Sequence, residues 1–154
     1  MTTDEKFMQE ALKEAARAAK KDEVPVGAVI VRDGKIIARA HNLRETKRRP
    51  DAHAEHIAMC RAARKLRGWR LIGCTLYVTL EPCPMCAGLA VNSRIPRVVF
   101  GAYDKKAGAL GSLYDLNEGK LNHTFECVGG ILEEECAQVL KNYFRKKREM
   151  KRTE

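Results

Sequence analysis

The pattern of apolar and polar positions along the chain predicts four helices and five strands. In the first helix, Thr2 to Lys20, apolar residues recur every three or four positions, and Thr2 with Glu5 makes a capping-box pattern at its start. Short runs of β-branched and other apolar residues predict the strands, the first two joined by a hairpin turn. The other helices are predicted at 54–66, from 84 onward and at 132–151, and the strands at 24–31, 36–41, 74–80, 97–101 and 124–128.

Two segments between these elements read as loops: the charged stretch 42–51 and the glycine-rich stretch 102–122. The order strand, helix, strand over 74–101 predicts a parallel pair with a right-handed crossover. We therefore expect an α/β fold in which helices cover a mixed sheet, within a single domain, 1–154. Its last helix, about 132–152, ends in a basic segment. That helix is expected to bury Leu132, Cys136, Val139, Leu140 and Phe144.

Candidate chemistry lies in two stretches, His53-Ala54-Glu55 and Glu81-Pro82-Cys83-Pro84-Met85-Cys86. Proline favours a helix start at 84, so the two thiols leave the first helical turn on one side, where the helix dipole lowers the pKa of a thiol. One histidine and two thiolates are three ligands, the number that a catalytic zinc site uses while its fourth position stays open for water. Glu55 then remains for proton transfer, provided that His53 lies at the N-terminal edge of its helix.

The pairing H-x-E…P-C-x-x-C is the sequence pattern of zinc-dependent nucleobase deaminases. In that chemistry, activated water attacks an amine-bearing ring carbon while a glutamate transfers protons to the ring nitrogen and the leaving ammonia. A structural zinc site is an alternative that predicts bound metal without activity. It requires a fourth ligand, and the candidates are Cys60, Cys74 and His56.

Composition constrains the partners and the compartment. The 154 residues carry a formal net charge of +9, which favours a polyanionic partner, although a basic surface that serves solubility gives the same value. No apolar run approaches membrane-spanning length and the first residues are polar, so we expect a cytoplasmic protein. In that compartment the cysteines outside the motif are expected to be small buried hydrophobic residues: Cys60, Cys74, Cys127 and Cys136.

At these motifs the sequence resembles the bacterial tRNA-specific adenosine deaminases, and the similarity extends over nearly the whole chain. Three later segments also match: 107–112, Leu121-Asn122-His123, and 130–145. The resemblance implies a three-layer α/β/α cytidine deaminase-like fold with a roughly five-stranded mixed sheet, one zinc ion per subunit, and a homodimer. It further implies hydrolytic deamination of adenosine to inosine at the wobble position of a tRNA anticodon loop.

The resemblance also assigns individual residues. It makes His53, Cys83 and Cys86 the zinc ligands and Glu55 the proton shuttle. Contacts with the anticodon stem-loop fall on Asn42, Ala54, Asp104, Asn122, Phe144 and Arg148. Two positions depart from the family pattern: Asp51, where threonine is usual, and His56, where an aliphatic residue is usual. The Asp51 carboxylate is a candidate partner for the His53 ring that would fix its tautomer, and it could equally repel phosphate.

Two alternative functions would explain some, but not all, of these sequence features. A deaminase of a free nucleoside or nucleobase, of the cytidine or guanine type, needs the same zinc core, but it gives no reason for the basic charge or the later family segments. A non-catalytic, zinc-stabilised RNA-binding protein accounts for the charge, but it has no use for Glu55 as a proton shuttle. A tRNA-specific adenosine deaminase would explain the zinc core, Glu55, the basic charge and the later family segments together.

Overall fold

The computed structural model describes residues 1–153, in which a five-stranded sheet lies between two layers of helices. The helices are α1 (Thr3–Lys20), α2 (Arg44–Lys47), α3 (Ala54–Leu66), α4 (Pro84–Asn92) and α5 (Glu133–Thr153). The strands are β1 (Gly27–Arg32), β2 (Lys35–His41), β3 (Cys74–Leu80), β4 (Arg97–Ala102) and β5 (Glu126–Val128). No helix among these residues is both long and apolar enough to cross a membrane.

The sheet is mixed, as expected. Its strand order is β2-β1-β3-β4-β5, with β1 antiparallel to both β2 and β3, and β4 parallel to both β3 and β5. The parallel pairing of β3 with β4 confirms the parallel pair that was predicted across α4. It also brings the C-terminal ends of β3 and β4 to one edge of the sheet, next to the start of α4.

Alternate strand residues supply two hydrophobic cores, one on each face of the sheet. Val29, Tyr77 and Val99 lie side by side and pack with α1 and α5, whereas their neighbours Ile30 and Leu76 pack with α3 and α4. Because successive side chains of a strand point to opposite faces, both faces of these central strands must be apolar. The arrangement is the expected three-layer α/β/α architecture.

Helix α1 is fixed to the sheet by a close approach and by an ion pair. A Cβ atom at Gly27 would collide with the α1 backbone at Ala11, so glycine allows the helix to lie directly on β1. The carboxylate of Asp4 accepts two hydrogen bonds from Arg97, at 2.9 and 2.8 Å, and one from the Tyr77 hydroxyl at 2.7 Å. Thr2 and Glu5 form the predicted capping box.

Three expectations about local structure are wrong. The loop after β2 contains a short helix, α2, because the buried Glu23 carboxylate accepts hydrogen bonds from the backbone N–H groups of Glu45 and Thr46. In α5 only Cys136 is fully buried, and Phe144 is 44% exposed, because the α5 residues that pack against the two cores all lie between Cys136 and Leu140. Cys60 is exposed rather than part of the core, since it lies on the outer side of α3.

Candidate active site

Three potential metal ligands meet where α3 and α4 begin. His53 is the N-cap residue of α3, as its proposed role required, and Cys83 is the N-cap residue of α4. The Nδ1 atom of His53 lies 3.6 Å from the sulfur atoms of both Cys83 and Cys86. All three ligand atoms lie within 4.8 Å of one another. The cluster therefore has the donor set and the spacing of a metal site.

The protonation of this cluster follows from its hydrogen bonds. A hydrogen bond with Cys86 holds the pKa of the Cys83 thiol at about 4, and the same bond, together with burial, raises the pKa of Cys86. The hydrogen bond with Cys83 also raises the pKa of His53. Cys83 is thus the most readily deprotonated of the three. A metal ion would displace the remaining protons, because thiolates and neutral imidazole are the forms that bind metals.

Glu55 lies in the first turn of α3 and is only 4% exposed. Burial raises the pKa of its carboxyl group to about 7. A carboxyl group with a pKa near neutrality can both accept and release a proton at the pH of the cell, which is the property required of a proton shuttle. The buried, strongly perturbed carboxyl group beside a ligand cluster identifies this place as a candidate catalytic centre.

Glu55 and two residues of the ligand cluster, His53 and Cys83, line a cavity of about 210 Å³. Its walls come from the segment before β1, the segment after β2, the beginning of α3, the end of β3, the turn into α4 and the loop after β4. This volume is below the range of about 300–1,000 Å³ that is usual for drug-sized ligands, so it suits a small group such as a single base. The lining residues are Val24, Val26, Asn42, Arg44, His53, Ala54, Glu55, Leu80, Glu81, Cys83, Asp104 and Ala107.

One wall of the cavity is fixed by the buried carboxylate of Glu81, which is 2% exposed. It accepts hydrogen bonds from the backbone N–H groups of Asp104 (3.0 Å), Leu110 (3.0 Å) and Ser112 (3.1 Å), and from the Ser112 hydroxyl. Burial opposes ionisation of Glu81, but these bonds outweigh it, so its pKa lies below the usual value. Glu81 therefore holds the 104–112 loop against the ligand-bearing turn.

A separate basic groove runs along α5. Its residues include Lys106 from the loop after β4 and the half-exposed ring of Phe144. The other lining residues are Leu140, Lys141, Lys147, Arg148 and Lys151. Lys106 lies two residues from Asp104, which lines the cavity, so the 104–112 loop connects the groove with the candidate active site.

Comparison with known proteins decides the family. The family profile of the MafB19-like deaminases matches residues 2–148. The tRNA-specific adenosine deaminase of Bacillus subtilis (strain 168) is 56% identical over 153 residues, covering 99% of this chain and 95% of that protein. The chain belongs to the tRNA-specific adenosine deaminase family. The resemblance inferred from the sequence motifs is thereby confirmed.

Solved structures of related deaminases share the fold. One, from a study of A-to-I editing by tRNA:A34 deaminases at the wobble position of transfer RNA, has a TM-score of 0.83 and 42% identity, covering 87% of this chain and 98% of that one. Another, a guanine deaminase from Nitrosomonas europaea, has a TM-score of 0.76 and 25% identity, covering 90% and 83%. The cytidine deaminase-like fold that was expected for this family is confirmed.

The structure brings most of the predicted site residues of the tRNA-specific adenosine deaminase family together. Asn42, Ala54 and Asp104 line the cavity beside the ligand cluster. Asn42 donates to the Val24 carbonyl and accepts from the Arg44 N–H, so its side chain also shapes the chain there. Phe144 and Arg148 lie in the basic groove of α5. Asn122 lies in an exposed segment and lines neither the cavity nor the groove.

The two residues that depart from the family pattern, Asp51 and His56, lie near each other and contact neighbouring side chains rather than the ligand cluster. Asp51 accepts two hydrogen bonds from Arg49, at 2.9 and 2.7 Å, and lies 4.0 Å from the His56 ring. The hypothesis that its carboxylate supports the His53 ring is therefore wrong. The His56 ring faces Cys60. Within residues 1–153, the ligand cluster includes none of the three candidate fourth ligands, His56, Cys60 and Cys74. The fourth ligand that a structural zinc site requires is absent there.

Sequence reasoning missed the part that Glu81 plays. The residue was noted only as the start of the cysteine stretch, and its hydrogen-bond partners lie 23 to 31 positions further along the chain. The sequence signal for this contact is Gly108, where a Cβ atom would collide with the Glu81 carboxylate and the Asp104 carbonyl. A glycine inside a predicted loop indicates close packing of the backbone, but it does not name the partner.

Proposed function

We propose that this chain catalyses the hydrolytic deamination of adenosine to inosine at the wobble position of a tRNA anticodon loop. Water adds at C6 of the base and ammonia leaves, so that adenosine and water give inosine and ammonia. The observation that carries the proposal is the buried carboxyl group of Glu55, which shares a small cavity with a His/Cys/Cys ligand cluster. The named relatives of the chain support the choice of tRNA as the substrate.

The ligand cluster fits zinc. In a tetrahedral site with about 2.3 Å to sulfur and about 2.0–2.1 Å to nitrogen, a ligand nitrogen and sulfur lie about 3.6 Å apart. The two nitrogen–sulfur distances in the cluster are both 3.6 Å. We therefore propose that His53, Cys83 and Cys86 hold one zinc ion per subunit. When bound, zinc supplies the Lewis acidity that makes water nucleophilic near neutral pH.

The remaining steps fall to residues of the chain. Glu55 accepts a proton from the attacking water and delivers it to the ring nitrogen. It then takes the second proton of that water from the new hydroxyl group on C6 and gives it to the leaving amine, so that the C6 carbonyl of inosine forms as ammonia departs. The pKa near 7 of this carboxyl group allows both transfers. Asn42, Ala54 and Asp104 surround the cavity, and we assign them to holding the base and its sugar. Because an anticodon loop presents unstacked bases, moving one into the cavity costs less than opening a duplex.

The RNA outside the cavity is assigned to the basic groove of α5. Phe144 is half-exposed and can stack on a base, while Arg148 and its neighbouring lysines can bind phosphates. Asn122 is assigned to the RNA only by the family resemblance. A tRNA substrate is also the reason that we assign the protein to the cytoplasm.

A homodimer is the proposed assembly. Helix α4 has the sequence Pro-Met-Cys-Ala-Gly-Leu-Ala-Val-Asn and contains no charged residue, yet Met85 is 39% exposed and Leu89 is only partly buried. A helix that is apolar on all sides is normally covered on all sides. A second copy of the chain would cover this outer face, and sedimentation of the protein at several concentrations tests the assignment. A monomer at all concentrations would contradict it.

The test of function is deamination of an anticodon stem-loop with adenosine at the wobble position. The zinc content of the protein is measured in the same preparation. Controls are the matching stem-loop with cytidine, free adenosine, and free guanine, the last because a guanine deaminase shares the fold. Inosine formed only in the adenosine stem-loop supports the proposal. Conversion of a free base or of cytidine would contradict the substrate, and zinc with RNA binding but no inosine would contradict catalysis.

A further inference from the structure

A second cationic surface surrounds the single tryptophan of the chain, Trp69, which is 54% exposed. The guanidinium carbon of Arg70 lies 4.3 Å from the centroid of the indole ring, and that of Arg94 lies 5.9 Å from it. Next to them Ile72 is 62% exposed. We use the name Trp69 surface for the indole ring together with five cations around it: Arg32, Lys35, Lys65, Arg70 and Arg94.

Two adjoining depressions give this surface its shape. They have volumes of about 370 and 480 Å³ and share Arg32 and Leu66 as lining residues. Asp33 is the one carboxylate among the residues that line them. Within residues 1–153, none of the five cations forms an ion pair with a carboxylate. The positive charge of the Trp69 surface is therefore left for an external anion.

The Trp69 surface lies far from the candidate active site. Arg32 pairs with Cys74, the first residue of β3, whereas Cys83 follows the last residue of that strand by three positions. A strand of seven residues spans about 20 Å, so the two places are at opposite ends of β3. The basic groove of α5 shares no lining residue with the Trp69 surface. A ligand at Trp69 is thus independent of the cavity.

We propose that the Trp69 surface is a second RNA-binding site, which takes single-stranded RNA by stacking a base on Trp69 and binding the flanking phosphates with its cations. An exposed aromatic ring amid unpaired cations is the arrangement by which proteins hold single strands without reading their sequence. Because the Arg70 guanidinium already lies over the indole ring, a base stacks on the ring by displacing this group, which then binds a flanking phosphate. In the sequence, Lys65 and Arg70 flank the exposed segment that leads to Trp69. No reaction is assigned to this site, and it does not depend on the proposed deamination.

RNA fits the surface better than an anionic membrane does. A membrane-binding surface needs several apolar side chains that enter the bilayer together, and here only Trp69 and Ile72 among the large apolar residues nearby are exposed. Positive charge also lies directly against the exposed aromatic ring, since the Arg70 guanidinium contacts the indole. This mixture suits a ligand in which flat bases and phosphates alternate at short intervals.

The test uses the fluorescence of Trp69, which reports on this surface alone because the chain has no other tryptophan. A short oligouridylate is the probe, since it contains no adenine and its binding does not require the deamination site to act. We expect quenching that saturates and that weakens steeply with salt. A phosphodiester strand without bases should quench much less, because it cannot stack. No quenching by oligouridylate, equal quenching by the baseless strand, or a response only to phosphatidylserine vesicles would overturn the proposal.

Variants separate stacking from charge. Trp69→Ala should weaken oligouridylate binding at this site by about fivefold or more, measured by calorimetry, and Trp69→Phe should recover most of it because a phenyl ring also stacks. The triple variant Lys35→Gln, Lys65→Gln, Arg70→Gln should reduce the salt slope of Trp69 quenching by about 2, since each phosphate contact with a single strand contributes about 0.7. The matched control neutralises three exposed lysines of α1, Lys6, Lys13 and Lys20. An equal loss of slope in the control would contradict a local site.

Discussion

Replacing Glu81 with glutamine tests whether this buried carboxylate holds the 104–112 loop in place. A hydrogen bond to a buried charged group contributes about 1.5–3 kcal/mol, and Glu81 accepts four. Glutamine keeps one acceptor oxygen and presents an NH₂ group to the other donors. At least one backbone N–H then loses its partner, and the bonds that remain lose their charge. We expect the ordered loop to be destabilised by about 2–4 kcal/mol.

That free energy has a direct readout in amide hydrogen exchange. A change of about 2–4 kcal/mol shifts the equilibrium between the ordered and the released loop by about 30-fold to 1,000-fold. Exchange at the N–H groups of Leu110 and Ser112 should accelerate by a factor in that range, because both are protected by the carboxylate. Since Asp104 and Ala107 line the cavity, kcat/KM for the anticodon stem-loop should fall as well.

Glu23→Gln is the matched control for this experiment. Glu23 is also buried, and its carboxylate also accepts backbone hydrogen bonds, but from Glu45 and Thr46 at the start of α2. Its replacement should destabilise that segment and leave exchange at Leu110 and Ser112 unchanged. If Glu81→Gln also leaves this exchange and kcat/KM unchanged, other contacts hold the loop and our reasoning about Glu81 is refuted.

Three further predictions concern the proton shuttle, the ion pair of α1 and the basic groove. Glu55→Gln should keep zinc, measured by atomic absorption, and lose at least about 100-fold in kcat; retained turnover would show that another group transfers the proton. Asp4→Asn should lower the free energy of unfolding in urea by about 1–2 kcal/mol at neutral pH. The hydrogen bonds from Arg97 lower the pKa of Asp4, so its contribution is complete above the ordinary value of 3.8 and disappears as pH falls through the lower folded value. The difference between wild type and variant should therefore vanish in strong acid, and a constant difference would contradict the assignment. Neutralising the four cations of α5 that line the basic groove should weaken stem-loop binding and reduce its salt slope by about 3, whereas an unchanged slope would exclude the groove. These cations are Lys141, Lys147, Arg148 and Lys151.

Much of the fold and of the ligand cluster could be predicted because the signals are local. Proline at position 84 fixes a helix start, and the run from Cys74 to Leu80 can only be a buried strand, so the cysteines had to follow the end of that strand. The bounds of α3 and β3 agree with the prediction residue for residue. His53 lies at the start of its helix, as it must if the ring and the Glu55 carboxylate are to face one cavity.

The features that the sequence did not predict depend on contacts between distant parts of the chain. Glu81 binds a loop more than twenty positions away, and no periodicity encodes such a partner. Phe144 has the spacing of a core residue, but the α5 residues that pack against the two cores end at Leu140, so its ring is exposed. Asp51 was close to His53 in sequence, yet Arg49 gave its carboxylate a better-placed bidentate partner. In each case tertiary geometry decided between interactions that the sequence permitted equally.

The ligand cluster and the cavity walls come from different kinds of segment, and this has an evolutionary consequence. His53, Cys83 and Glu55 belong to two helix starts that are packed on the sheet, whereas much of the remaining wall comes from the segment after β2 and the 104–112 loop. Surface loops accept substitution and changes in length more readily than packed elements do. Selection can therefore exchange the substrate while the hydrolytic apparatus is inherited intact. A guanine deaminase shares this fold at 25% identity, which is the kind of difference in substrate that such a division permits.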